Sequence, residues 1–147
     1  MCLTHGVHFF VGTLRADARR LTPALDLMEK YLAELVEKCT KEEAVGSADI
    51  DRLCLMSHSE RPHVYDMIAA HITREFAAGR LCFEDADAVA NFLWAESAFN
   101  LSGFAKDVFL AFDDGEFLPG RDRVGTDPVA KYTWPQVGDL LARASQV

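Results

Sequence analysis

Hydrophobic positions along this chain recur mostly at steps of three and four, the period of a helix buried along one face. The best-defined stretch follows Thr22-Pro23, where Thr22 suits a helix cap and Pro23 the first turn, so a helix is predicted to start there. Leu25, Met28, Leu32, Leu35, Val36 and Cys39 then form one apolar stripe. The other side carries Asp26–Lys30, Glu34–Lys38 and Glu37–Lys41, each acid first at the favourable four-residue spacing. This helix is expected to end by Gly46.

Upstream the pattern reads two ways. Val7 to Val11, bracketed by Gly6 and Gly12, has the make-up of a short buried strand. Leu3, Val7, Phe10, Val11, Leu14, Ala18 and Leu21 also fall on one helical stripe, which is longer, and a lone strand would leave its ladder unpaired. Helix is therefore favoured for this segment, with the conformation of residues 1–12 left open.

Downstream, Ser47 opens a shorter helix with Asp49 and Asp51 near its positive end and Ile50, Leu53, Cys54 and Met56 inward. His58-Ser59-Glu60-Arg61 breaks it. Pro62 starts another helix, with Val64 or Tyr65, Ile68, Ile72 and Phe76 inward, and Gly79 is its natural stop. Glu84, Asp85 and Asp87 mark the next start, followed by Val89, Phe92, Leu93 and Phe99 at helical spacing. Asn100 to Gly103 bends or breaks the pattern. Phe104, Val108, Ala111 and Phe112 resume it as far as Asp113-Asp114-Gly115. Residues 115–132 are one long polar loop. Thr133-Trp134-Pro135-Gln136 reads as a capping box before a last helix lined by Val137, Leu140, Leu141 and Ala144. The expectation is an all-α single domain over residues 1–147, a compact bundle of about six or seven short helices.

The charge balance is 15 Lys+Arg against 23 Asp+Glu, net −8. Such a surface repels phosphate backbones and anionic lipid, so neither nucleic acid nor membrane is an expected partner, and another protein is. No apolar run reaches the eighteen or so residues of a membrane span. The start MCLTHGVHFFVG has no basic region and no small-residue cleavage site, so no signal peptide is expected. Cysteines at 2, 39, 54 and 82 are irregularly spaced, and the chain reads as cytoplasmic with reduced thiols.

The densest set of reactive side chains is Cys54, His58, His63 and His71, all of them ligand types for zinc. Their spacing fits no regular ligand ladder. His63 and His71 on one helix would stand about 12 Å apart along its axis. Arg52 and His58 resemble the Arg-x5-His motif of the HEPN family of helical-bundle ribonucleases, which implies action on a phosphodiester. The likeness covers those two residues, Leu53 stands where the family has a polar one, and the acidic balance suits RNA poorly. Asp113, Asp114, Glu116, Asp122 and Asp127 supply carboxylates, but not in the order of a calcium loop, and Arg121 and Arg123 would neutralise them locally. Glu96 and Asn100 form a polar pair one turn apart on an apolar helix. There is no P-loop, no Gly-x-Gly-x-x-Gly, no Gly-x-Ser-x-Gly and no His-Glu-x-x-His, so no cofactor is expected.

The reading that follows is a small acidic interaction domain that binds, and inhibits, a basic protein through Asp113, Asp114, Glu116, Phe117 and Asp122. Bacterial immunity proteins and phage-encoded inhibitors share its size and charge. The first alternative is a metal-dependent or hydrolytic enzyme using His58, His63 or His71. The second is a self-associating homodimer, with the Phe-rich helices from Phe92 to Phe112 as its face.

Overall fold

A computed structural model describes residues 14–41 and 43–147, with side chains from residue 23 onward. The described chain is all-helical: α1 (Leu14–Thr40), α2 (Ser47–Ser57), α3 (Arg61–Ala77), α4 (Phe83–Glu96), α5 (Gly103–Glu116), a π turn (Val129–Thr133) and α6 (Trp134–Ala144). The strand-or-helix question at residues 1–12 lies outside the described residues.

α3 is the central helix. Val64, Tyr65, Ile68, Ala69, Ala70, His71, Ile72, Thr73 and Phe76 are all buried, which leaves little of its circumference to solvent. The other five helices lie against it. α5 contributes Phe104, Ala105, Val108, Phe109, Ala111 and Phe112 to the same core. Phe112 meets Phe76 edge-on at 5.2 Å, and Phe76 stacks on Trp134 at 4.4 Å, so one aromatic column joins α5, α3 and α6. A second stack, Trp94 on Phe109 at 4.8 Å, joins α4 to α5.

Several expectations are corrected here. The helix does not start at Thr22-Pro23: α1 runs through, with Pro23 inside it. Pro23 and the four residues after it are exposed, so a helical turn weakened by a missing N–H meets no packing constraint. Leu25, assigned inward, is 62% exposed, and Leu32 is the first buried side chain among the described residues of α1. Of the three predicted pairs only Glu37–Lys41 forms. Lys30 turns to Glu34, and Lys38 crosses to Asp49 on α2 at 2.7 Å. That crossing ties α1 to α2, and burial of the Asp49 carboxyl is outweighed by its bonds to Lys38 and the Gly46 N–H, which hold it below its ordinary value.

Phe99 also departs from the helical spacing. α4 stops at Glu96, and Ala98 and Phe99 take left-handed φ of 53° and 61°, leaving Phe99 65% exposed. Thr133 is not a cap. It has helical φ and ψ and makes no capping bond, because a π turn already precedes it, closed by the Trp134 N–H to the Val129 carbonyl. The start signal lies earlier, where the Asp127 carboxylate accepts the Val129 N–H at 2.9 Å and Pro128 follows in the first turn.

Thr133 is fully buried, and its Oγ1 is the single buried side-chain polar atom without a hydrogen-bond partner among the described residues. An orphaned hydroxyl costs about 1–3 kcal/mol. Thr133→Val keeps the shape and removes the hydroxyl, so it should stabilise the fold by about 1 kcal/mol in urea unfolding. A loss instead would mean that the hydroxyl finds a partner.

Candidate functional site

Three carboxylates crowd the C-terminal turn of α5. Asp113, Asp114 and Glu116 are all exposed, and the last turn contains no basic residue. A helix C-terminus is the negative end of its dipole, so acids there are set against the local field. Ordinary stability would place them in a first turn, as Glu84 and Asp85 are on α4.

The packing of α4 against α5 adds a fourth acid. Asn91 Nδ2 donates to Asp87 Oδ2 at 3.0 Å and to Glu116 Oε1 at 3.1 Å, which brings the two carboxyls together across the helix pair. Burial and the neighbouring Glu116 and Asp113 push the Asp87 carboxyl up to about 7. Asp113 is also raised, first by burial and then by Glu116 and Asp114. No lysine or arginine among the described residues forms an ion pair with Asp87, Asp113, Asp114 or Glu116. The neutralisation expected from Arg121 and Arg123 is therefore absent from these pairs. Immediately after the acids, Phe117 extends from the helix with 70% of its surface exposed, and Leu118 is exposed beside it.

Asp122 does not belong to this surface. Its side chain is 6% exposed and accepts bonds from Lys131 and the Tyr132 hydroxyl, which hold its carboxyl below its ordinary value. It folds the loop back onto the π turn. Asp127 is likewise occupied as a cap. The acidic surface therefore consists of Asp87, Asp113, Asp114 and Glu116. In the sequence Asp87 reads as one of the acids that open α4, because its place beside Glu116 depends on how α4 packs on α5.

The ligand-type residues do not converge. His58 is the exposed left-handed cap of α2, and His63 is exposed on α3. His71 is buried between α3 and α1, 3.3 Å from Glu29, and burial lowers its proton affinity. Cys54 is half-buried on α2. Among the described residues no three His, Cys, Asp or Glu side chains form a group able to hold a metal ion. Arg52, of the Arg-x5-His pair, lies over the Tyr31 ring at 3.7 Å. It braces α2 on α1.

Glu96 is paired, but not with Asn100, which lies beyond the helix end. Arg61 Nη1 donates to it at 2.7 Å and Ser47 Oγ at 2.6 Å, and Arg61 also reaches Asp51. This cluster pins the starts of α2 and α3 to the end of α4. Within the stretch from Phe92 to Phe112, Phe104, Phe109 and Phe112 are buried in the core, whereas Phe99 and Leu110 are exposed.

Comparison with protein-family models, with curated proteins and with solved structures found no match. Among the described residues no helix is long and apolar enough to cross a membrane.

Proposed function

We propose that this chain is a protein-interaction domain whose acidic end, formed by α4 and α5, docks a basic partner and masks it. The observation that carries the proposal is the set of carboxylates on the negative end of α5, without an intrachain ion pair among the described residues, next to the exposed ring of Phe117. Acids placed against a helix dipole and against each other cost stability, and chains keep such arrangements where function requires them. A lysine or arginine brought to this end meets both the carboxylates and the carbonyl end of α5, and relieves the repulsion. Phe117 supplies the apolar contact that an aromatic anchor makes at the centre of an interface.

The inhibitory part of the proposal follows from charge: an acidic domain of this size covers a cationic surface that would otherwise meet an anionic substrate. One double variant tests it. Asp113→Lys with Asp114→Lys, compared with wild type in capture from lysate of the native host, should lose a basic partner that wild type holds near one-to-one. Affinity should fall by about a hundredfold, as for interfacial charge reversals. Retention of the same partner by the reversed variant would rule out this surface.

A further inference from the structure

α5 and α6 run side by side and are fastened at two points. At one end Arg143 Nη2 donates to Asp107 Oδ2 at 2.8 Å, and at the other Gln136 Nε2 donates to Asp114 Oδ2 at 2.8 Å. Asp107 and Asp114 are two helical turns apart, so the ties stand about 10 Å from each other. Between them lies an open pocket of about 230 Å³, lined by Leu110 and Leu140 with Asp139 on the rim. Leu140 is buried at its base, whereas Leu110 is exposed in spite of its size.

The pocket is smaller than the ~300–1,000 Å³ of a small-molecule site. It suits one large side chain. Its charge is lopsided: Asp107 and Asp139 line it, and Asp114 adjoins it through its bond from Gln136, against a single lining cation, Arg143, which Asp107 already occupies. Asp139 has no ion pair among the described residues. Through Asp114 the rim is continuous with the acidic end of α5.

We propose that this pocket receives one large apolar side chain of the partner, flanked by lysine or arginine residues that meet Asp139 and Asp114. The inference rests on the acidic-surface reading and adds to it the form of the partner: an apolar anchor set between cations. Burial of the anchor between Leu110 and Leu140 supplies affinity, and the rim acids select for its neighbours. A purely cationic tract fills the rim and leaves the pocket empty, and an apolar anchor between acids is repelled.

The probes are two capped peptides, Lys-Lys-Trp-Lys-Lys and Lys-Lys-Ala-Lys-Lys, titrated into the 15N-labelled full chain. The Trp-centred peptide should shift the amides of Leu110, Gln136, Asp139 and Leu140 saturably and bind at least about tenfold more tightly than its Ala counterpart. Leu110→Arg should remove that difference, and Asp139→Lys should weaken both peptides while leaving the fold intact, since both residues are exposed. Equal affinity for the two peptides, with shifts confined to Asp87 and residues 113–117, would overturn the pocket and leave the acidic surface standing. No saturable shift at either place would overturn both.

Discussion

Gly115→Ala is expected to destabilise the protein by about 2 kcal/mol, more than any single exposed substitution on the bundle. A Cβ at this position would lie 2.3 Å from Thr133 Oγ1 and 2.7 and 2.9 Å from two ring carbons of Phe83. Neither neighbour is the free end of a flexible chain. Thr133 is fully buried in the π turn, and Phe83 packs at 5.9 Å on Phe112. Alanine favours a helix over glycine by about 1 kcal/mol, which offsets part of the clash but not all of it. The melting temperature should fall by about 6–8 °C, read by circular dichroism. Thr133→Ala removes the closest atom, so the double variant should recover part of the loss. Strict additivity of the two changes would show that the contact is not the cause.

Asp87→Asn is expected to stabilise the protein above neutral pH and not at all near pH 4. An aspartate in the unfolded chain releases its proton near pH 4, whereas burial and Glu116 hold the Asp87 proton to about 7. Between those values the folded state binds more protons than the unfolded one, so stability falls as pH rises from about 4 to about 7. Below that window both states are protonated and the effect vanishes. Above it the loss is complete. Asp87 is half-exposed, so solvent screening reduces the cost to about 1–2 kcal/mol. Asparagine keeps an acceptor for Asn91 and carries no charge. Its melting temperature should exceed wild type by about 3–6 °C at pH 8 and match it at pH 4. A gain of equal size at both values would show that ionisation is not responsible. The same change should weaken capture of a basic partner, a trade of stability against function.

The helices were legible because the core is built from residues at steps of three and four. Val64, Ile68, Ile72 and Phe76 on α3, and Phe104, Val108, Ala111 and Phe112 on α5, are buried as their period predicts. Local chemistry failed where a tertiary neighbour overrode it. Lys38 bonds Asp49 instead of Glu34, and Glu96 bonds Arg61 instead of Asn100, because residues distant in sequence meet at helix ends. Thr133-Trp134-Pro135-Gln136 has every residue of a capping box, yet Asp127-Pro128 had already started the helix one turn earlier. The acidic surface was half legible. Asp113, Asp114, Glu116 and Phe117 are exposed at the end of α5, while the Asp122 carboxylate is taken up by Lys131 and Tyr132, which the sequence does not place beside it. The pocket was not legible at all, since it exists only where the Asp107–Leu110–Asp114 stripe faces Gln136, Asp139 and Leu140 across two helices.

Light scattering on the protein together with the partner it captures, over a series of salt concentrations, tests the central claim most directly. Binding through the acidic end predicts a one-to-one complex whose affinity falls steadily as salt rises, because exposed charges are screened. A complex indifferent to salt, or a partner as acidic as this chain, would contradict it.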